Sequence, residues 1–451
     1  MAGIGFRLQA LVSKGSYLDA ATAYVSSAVI STGPWLSGAI ALTVLGGTAA
    51  TYLTKDDHEL LLATIITVFA ASLVIAGGPQ MLVTRYLADR LYFDDSASIA
   101  PICTGVMVLL LPFTLLALPF LLFAPFPLLY RLLVTTLFVT LMMSWLITAF
   151  LSAAHEYLRI VLIYLLAYTL GTVLSIFLGP IYGLSGSLAG FIIGQTLCLA
   201  LLIVNVYWEF PSTKLYSLAY LSYFPRYWDL LLIGLLYPLG TWIDSIVFWM
   251  SPHGQVIHGF YHLFLPYDTS RFLVYLSTVP ASAIFMICLE TDFYRYYREF
   301  YLFIRTKGTL ADLVRARDGM LKAIRAGVWL ILRVQGLLAL FLCVVARDLT
   351  TFVGLSPDWA LLLRLQLLAS VGQFFVLIMV LFLLYLDQRR SALLVVGVFV
   401  GSNLVLTLGS LYLGETFYGT GYLLACSIGA ILGWFLLICK LKQLEYLTFM
   451  R

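Results

Sequence analysis

One carboxylate, Asp244, lies near the middle of the apolar stretch YPLGTWIDSIVFWM, which covers residues 237–250. An ionised side chain costs about 3 kcal/mol at the centre of a bilayer, so it requires an ion-pair partner, water or a proton. Pro238 lies in the same stretch, where it removes one backbone donor and bends a helix. The carbonyl groups that the bend frees must be satisfied inside the protein or by water. A kink beside a buried charge is typical of a helix that lines a transport path.

Three arginines in other apolar segments could neutralise Asp244, namely Arg271, Arg333 and Arg364. Arg271 is the first choice because it lies three residues after Asp268, on the same face of a helix. That local pair would also satisfy Arg271 without Asp244. Two roles therefore stay open for Asp244: a titratable or substrate-contacting group, and a structural ion pair with a buried arginine.

A second kink is expected at Gly33, Pro34 and Trp35, in the first apolar segment. These residues either serve helix packing, with Trp35 as an ordinary buried ring, or join Trp242 and Tyr275 in presenting aromatic faces to a sugar or a drug. Aromatic rings alone do not separate these two kinds of substrate. The candidates for the transport path are Asp244, Arg271, Asp268, Gly33, Pro34, Trp35, Trp242, Arg333 and Arg364.

Sequence signatures of catalysis are missing from the chain. It has no P-loop, no H-E-x-x-H or G-x-S-x-G motif, and no D-x-D or Q-x-x-R-W of the kind found in membrane polysaccharide synthases. His253, His258 and His262 share one loop, but neither a cysteine nor a carboxylate lies among them, which favours loop polarity over a metal site. We therefore expect neither an enzyme nor a bound cofactor or metal.

The composition assigns the class of protein. Hydrophobic residues make up 62% of the 451 positions and charged residues only 11%, which is far outside the range of soluble domains. The chain is therefore expected to be a polytopic membrane protein, and no nucleic-acid partner is expected. The six cysteines lie in apolar segments without metal-ligand spacing and are expected to be small core residues.

Apolar segments of about 20 residues, the length that a bilayer requires, follow one another along the chain. Pro34 and Pro238 take matching places in the first segment of each half, which is typical of transporters built from repeats. The expected fold is an all-α polytopic membrane protein with about twelve spans in two six-helix lobes. The segments lie near residues 22–52, 60–84, 100–123, 129–153, 159–179, 184–208, 228–250, 268–289, 326–347, 360–386, 391–413 and 419–440.

Basic residues divide unevenly between alternate loops, and this division sets the orientation in the membrane. With a cytoplasmic N-terminus, that side receives most of the lysines and arginines, whereas the opposite loops keep Lys55, Arg131 and Arg347. Both termini are therefore expected in the cytoplasm, and the first apolar segment is not expected to be cleaved as a signal. The expected domains are a cytoplasmic N-terminus at 1–21, an N-terminal lobe at 22–209, an interfacial linker at 210–227, a C-terminal lobe at 228–440 and a cytoplasmic tail at 441–451.

Two connecting segments carry further expectations. Residues 211–228 place leucine and tyrosine side chains on one face beside Lys214 and Arg226, which predicts an interfacial helix. The loop 290–325 concentrates eight basic residues among several tyrosines. It is either a solvated segment attracted to anionic headgroups or a docking site for a cytoplasmic partner. The docking candidates are Arg295, Arg298, Arg305, Arg315 and Arg317.

Several motifs occur in a specific order: MAGIGF at the start, STGPW at 31–35, WID at 242–244 and LETDFYRYYREFY at 289–301. Together they resemble the PelG family, the inner-membrane component of the Pel exopolysaccharide machinery of Gram-negative bacteria. The family pattern has a Lys directly after the Asp of WID, whereas this chain has Ser245. Asp244 is therefore less neutralised by its neighbour than the family pattern implies.

The resemblance implies a fold similar to the multidrug/oligosaccharidyl-lipid/polysaccharide (MOP) flippases, with two lobes around a central cavity. It also implies export of an N-acetylated galactosamine and glucosamine polymer across the bacterial inner membrane. The implied partners are a cytoplasmic glycosyltransferase and small membrane subunits of a Pel-type synthase complex, together with membrane lipid and the polysaccharide itself.

Two other functions stay open beside polysaccharide export. One is a cation-coupled small-molecule transporter or lipid-linked oligosaccharide flippase of the same fold, with Asp244 as the coupling site. The other is a membrane scaffold that only holds the glycosyltransferase at the bilayer. For a scaffold, substitutions in the loop 290–325 would matter and substitutions at Asp244 would not.

Overall fold

A computed structural model describes the chain at residues 17–93 and 95–449. Most of the predicted N-terminal segment 1–21 lies outside these residues, as do Met450 and Arg451 in the predicted tail. The described part is almost entirely helical, and its strands β1 (Gln255–Ile257) and β2 (Tyr261–Leu263) form an antiparallel hairpin. The α-helices are α1 Tyr17–Ala49, α2 Lys55–Tyr92, α3 Ile99–Thr114, α4 Leu118–Phe123, α5 Leu128–Ala153, α6 Tyr157–Glu209, α7 Trp228–Trp249, α8 Leu265–Ser277, α9 Val279–Cys288, α10 Tyr294–Arg305, α11 Leu310–Val344, α12 Ala346–Phe352, α13 Ala360–Tyr385, α14 Arg389–Leu413, α15 Thr420–Lys442 and α16 Leu444–Phe449.

Ten helices of the described part are long and apolar enough to cross a membrane, which confirms the predicted all-α, many-span class. The longest, α6, has 53 residues and leaves helical geometry at Gly183, where φ is 62° and ψ is −143°. This break falls between two predicted spans, so α6 accounts for both. The predicted span near 100–123 is instead divided into α3 and the short α4, because Pro112 and Pro119 interrupt the helical hydrogen bonds.

Capping residues set the start of several helices. The side chain of Thr54 accepts a hydrogen bond from the backbone N–H of Asp57 at 3.2 Å and begins α2. Thr309 and Asp312 form a capping box at the start of α11. These side chains satisfy N–H groups that the first turn of a helix leaves free. The 35 residues of α11 make it longer than the roughly 30 Å hydrocarbon core requires, since each residue adds about 1.5 Å.

The helices group into two compact units, each with its own internal contacts. Unit 1 comprises the described residues up to Thr32, Ile243–Phe248 and Leu265 onward. Unit 2 comprises Gly33–Trp242 and Trp249–Phe264. The lobe limits expected from the sequence, 22–209 and 228–440, stay a prediction.

Glycines in unit 2 allow α2 and α7 to lie unusually close together. A Cβ atom at Gly77 would overlap the carbonyl oxygen of Gly234, and a Cβ atom at Gly234 would overlap that of Gly77. A Cβ atom at Gly78 would lie 3.0 Å from the carbonyl oxygen of Leu231. Small residues at such crossings are the usual way for membrane helices to bring their backbones into contact.

The interfacial helix predicted at 211–228 is wrong. Before Trp228, where α7 begins, the helical part of this segment is Ala219–Tyr223, a short 3-10 helix. The backbone N–H of Ser217 donates to the carbonyl oxygen of Pro101 at 2.9 Å, and the hydroxyl of Tyr220 donates to the carbonyl oxygen of Gly105 at 3.4 Å. These hydrogen bonds to α3 replace the ladder of an α-helix. Burial against α3 also raises the pKa of Tyr220 to about 12.

The histidine-containing loop between α7 and α8 folds as the hairpin of β1 and β2. His262 lies in β2 opposite Val256 of β1. The rings of Phe260 and Tyr261 pack against Phe126 at centroid distances of 5.9 and 5.8 Å, which anchors the hairpin within unit 2. Among the described residues, no group of three or more histidine, cysteine, aspartate or glutamate side chains is placed to hold a metal ion.

Candidate functional site

Asp244 lies in α7, and 0% of its surface is exposed. Arg271 lies in α8 and is 5% exposed. Its Nη1 donates to Oδ2 of Asp244, so the predicted pairing of these two residues is present in unit 1. The residue that follows Asp244 in the chain, Ser245, carries no charge. The cation that neutralises Asp244 therefore comes from another helix. The roles of Asp244 and Arg271 in transport stay predictions.

Tyr267, one turn before Arg271 on α8, also contacts the carboxylate. Its hydroxyl donates to Oδ2 of Asp244 at 2.5 Å, and its backbone carbonyl accepts a hydrogen bond from Nε2 of Gln366 at 3.5 Å. Its ring stacks on Phe248 of α7 with the centroids 4.3 Å apart. Residues four apart lie on one face of a helix, so α8 presents both donors to the same carboxylate oxygen.

Two further tyrosines surround the guanidinium group of Arg271. Its Nε donates to the hydroxyl of Tyr275 at 3.3 Å. Its Cζ lies 4.3 Å from the ring centroid of Tyr422, in α15, and 5.5 Å from that of Tyr275. The faces of aromatic rings stabilise a buried cation. We call Asp244, Tyr267, Arg271, Tyr275 and Tyr422 the ion-pair cluster.

Some polar atoms in and beside the ion-pair cluster have no hydrogen-bond partner among the described groups. They are Oδ1 of Asp244 and the hydroxyl oxygens of Ser245, Ser270 and Tyr422. Buried polar groups are nearly always satisfied in folded proteins. The ion-pair cluster therefore includes one carboxylate oxygen that is able to accept a further hydrogen bond, and Ser245 and Ser270 carry unsatisfied hydroxyls next to it in the chain.

Arg364 and Arg333 do not take part in the ion-pair cluster. Arg364 is exposed on α13, and its Nε donates to the carbonyl oxygen of Cys343 at 2.9 Å, near the C-terminal end of α11. That bond satisfies one of the carbonyl groups that a helix end leaves free. Arg333 is exposed on α11 and forms an ion pair with none of the acidic side chains that the structure describes. Asp268 is half-buried in the first turn of α8.

The remaining predicted path residues lie in unit 2. Gly33 and Pro34 lie inside α1, and a Cβ atom at Gly33 would lie 2.8 Å from both methyl groups of Val161 in α6. Gly33 therefore serves the close packing of α1 on α6. Trp35 is exposed, whereas a role in helix packing predicted a buried ring at this position. Trp242 contacts Trp249, with ring centroids 6.1 Å apart.

The docking candidates lie on α10 and the first turns of α11, and their surroundings differ. Arg317 is only 23% exposed and forms ion pairs with Glu445 of α16 at 2.8 Å and with Asp318 at 2.9 Å. Arg315 is 82% exposed. Arg295, Arg298 and Arg305 are exposed on α10, and the guanidinium of Arg295 lies 4.6 Å from the ring centroid of Tyr296.

Tyr267 and Tyr422 were not among the predicted site residues. Tyr267 was accessible to sequence reasoning, because its spacing of four residues from Arg271 places both on one helical face. Tyr422 had no such signal, since it lies on a helix far along the chain and no spacing connects it with Arg271.

A family model described as "PelG: Putative exopolysaccharide Exporter (EPS-E)" matches residues 1–449. The chain belongs to the PelG family. The match extends the resemblance of the ordered motifs to almost the whole sequence. No curated protein matches the chain significantly.

Solved structures of transporters share the fold. An outward-facing multidrug resistance MATE family transporter of the MOP superfamily is 14% identical, with 94% of this chain and 96% of that chain covered and a TM-score of 0.68. A mutant of the MATE transporter VcmN of Vibrio cholerae is 15% identical, with coverages of 94% and 98% and a TM-score of 0.67. A MOP superfamily transporter from Pyrococcus furiosus is 12% identical, with coverages of 93% and 96% and a TM-score of 0.63. The PelG-family chain is thus a multi-pass membrane protein of an exopolysaccharide exporter family with the MOP fold.

Proposed function

We propose that this protein moves an amino-sugar exopolysaccharide of the Pel type from the cytoplasm to the periplasm across the bacterial inner membrane. The match of the PelG family model over residues 1–449 is the observation that carries the proposal. The transporter fold supports movement of the polymer across the bilayer rather than chemistry on it. In this proposal the protein is a transporter and not an enzyme.

The proposed orientation has both termini in the cytoplasm. Its support is the distribution of basic residues, of which eight lie between Arg295 and Arg325. Loops rich in lysine and arginine stay on the cytoplasmic side of a membrane. In this orientation α10 and the first turns of α11 are accessible to cytoplasmic proteins.

The ion-pair cluster acts, in this proposal, on the contact between α7 and α8 rather than as a binding site for sugar. Burial of Asp244 and Arg271 leaves neither side chain accessible to a polymer in this conformation. A buried pair of opposite charges holds its two helices together, because separating the charges leaves each without compensation. We propose that the pair opens and re-forms as the polymer moves.

The proposed partners are a cytoplasmic glycosyltransferase and small membrane subunits of a synthase complex. Arg295, Arg298, Arg305 and Arg315 offer exposed positive charge to an acidic surface on such a partner. Arg317 is a poorer candidate because its ion pair with Glu445 already connects α11 with α16. Removal of the Arg317 side chain is expected to change the contact between α11 and α16 rather than partner binding.

The test of this proposal is purification of the tagged protein from native membranes in a mild detergent, followed by mass spectrometry of the proteins that come with it. We expect a soluble glycosyltransferase and small membrane subunits. The double variant Arg295→Gln with Arg298→Gln should recover at least about fivefold less glycosyltransferase, since charge complementarity guides such contacts. The matched control, Lys55→Gln with Arg347→Gln, removes the same charge from the loops on the other side and should recover as much as the unaltered protein.

Purification of the protein alone, under conditions that preserve other complexes, would contradict the proposed assembly. A free-standing flippase or a cation-coupled transporter would then take its place, and export should follow an ion gradient without any glycosyltransferase. Intact recovery of the partner together with full export by variants of the ion-pair cluster would instead favour a scaffold.

A further inference from the structure

One face of α11 carries a row of cations and a tryptophan. Lys322, Arg325, Trp329 and Arg333 follow one another at spacings of three, four and four residues, which places them on a single face of the helix. All four are exposed, and Trp329 is 60% exposed. None of the three cations has an ion-pair partner among the side chains that the structure describes. We call these four residues the basic stripe.

The basic stripe lies at one end of the span formed by α11. This helix ends at Val344, and the polar residues Arg347 and Asp348 follow. Counting back about 20 residues, the length that crosses roughly 30 Å of hydrocarbon, reaches Arg325. Arg325 and Lys322 therefore lie at the level of the headgroups, and Trp329 lies at the depth where tryptophan is enriched in membrane proteins.

Arg333 lies about 12 Å further into the span, at 1.5 Å for each residue after Arg325. An arginine at that depth extends its long side chain toward the interface and requires an anion there. The row Lys322, Arg325, Arg333 leads from the cytoplasmic loop into the hydrocarbon on one helical face. It fits a ligand that has its negative charge at the interface and its apolar part below.

The same face continues with apolar side chains only. Leu337, Leu340 and Val344 are all exposed and follow Arg333 at spacings of four, three and four residues. Space is also open beside Gly336, where a Cβ atom would meet nothing within 4 Å. A surface of this composition suits acyl chains, whereas a sugar polymer requires hydrogen-bonding groups along its path.

From this arrangement we infer that the basic stripe binds the phosphate headgroup of an anionic phospholipid, with the acyl chains against Leu337, Leu340 and Val344. Arg333 is then a lipid-binding residue rather than part of the transport path. The ligand class follows from charge complementarity, because three cations without acidic partners surround one interfacial tryptophan. The inference does not depend on which polymer the protein moves.

Native mass spectrometry of the full-length protein in detergent tests this inference by titration with phosphatidylglycerol and, in parallel, with neutral phosphatidylcholine. We expect phosphatidylglycerol to bind more tightly. Replacing Lys322, Arg325 and Arg333 by Gln should lower its affinity by roughly fivefold for each cation removed. The matched control is the triple replacement of Lys55, Arg131 and Arg347 by Gln, which removes the same charge from the opposite loops and should leave the affinity within about twofold.

Four results would overturn the inference. One is equal affinity for the two lipids, and another is the same loss of affinity in both triple variants. The third is displacement of phosphatidylglycerol by millimolar inorganic phosphate, which would identify a free anion as the ligand. If Arg333→Gln abolishes polysaccharide export while phosphatidylglycerol affinity is unchanged, Arg333 belongs to the transport path and the lipid assignment is wrong. Thermal stability of each variant, measured in the same detergent, shows whether it is folded.

Discussion

Asp244 and Arg271 differ in what each can do when its partner is removed. Without Arg271, the carboxylate of Asp244 still accepts the hydrogen bond from Tyr267, whereas without Asp244 the guanidinium group of Arg271 loses its anion. Breaking a buried ion pair from one side costs about 3–5 kcal/mol. We therefore expect Asp244→Asn to lower thermal stability in detergent more than Arg271→Gln does. Equal losses would show that the hydrogen bond from Tyr267 does not offset the missing arginine.

A variant without both charges distinguishes a packing role of Asp244 and Arg271 from a role in transport. The double variant Asp244→Asn with Arg271→Gln leaves no uncompensated charge, so its thermal stability should return close to that of the unaltered protein. Export of polysaccharide should still be at least about tenfold lower, equivalent to ~1.4 kcal/mol in a rate barrier, because no ion pair remains to open and re-form. A stable double variant that exports normally would reduce the pair to a packing contact.

At the scale of the helices, Gly77 in α2 and Gly234 in α7 bring two backbones into contact. A Cβ atom at either position would overlap the carbonyl oxygen of the other residue. A backbone carbonyl does not move aside as a flexible side chain does, so Gly77→Ala should destabilise the protein by roughly 1–3 kcal/mol. The measurement is the temperature at which the detergent-solubilised protein loses its monodisperse peak in gel filtration.

The matched control for this helix contact is Gly397→Ala in α14. Nothing lies within 4 Å of a Cβ atom built at Gly397. Alanine is favoured over glycine in a helix by about 1 kcal/mol, so the control should be neutral or slightly stabilising. A similar loss of stability in both variants would mean that glycine flexibility, and not the contact of α2 with α7, explains the effect.

Most helices were predictable from the sequence, because a span requires about 20 apolar residues whatever it packs against. The connection at 211–228 was not predictable in this way. Its leucine and tyrosine pattern suits an amphipathic helix, but hydrogen bonds from Ser217 and Tyr220 to the backbone of α3 determine its conformation. A pattern of side chains shows which residues are apolar and does not show which backbone groups find distant partners.

Across the whole molecule, the sequence predicted residues of the candidate site only where a buried charge requires a partner of opposite charge. A buried carboxylate requires a counter-charge, and this requirement pointed from Asp244 to Arg271. The same requirement also named Arg333 and Arg364, ranked below Arg271, and the tertiary structure separates both from Asp244. The contact of Arg271 with Tyr422 depends on the orientation of a ring on a distant helix, which no local pattern records.

The proposed direction of the whole chain across the membrane can be tested in the segments directly before and after α11. Basic residues crowd the segment before α11, whereas Arg347 is the one cation between α11 and α13. Alkaline phosphatase fused after residue 308 should therefore be inactive in cells and a fluorescent protein there should fluoresce, with the reverse after residue 355. The opposite result would place α10 in the periplasm, out of reach of a cytoplasmic glycosyltransferase. The docking proposal for Arg295, Arg298 and Arg305 would then fail together with the orientation, even if the PelG-family fold and the ion-pair cluster were unchanged.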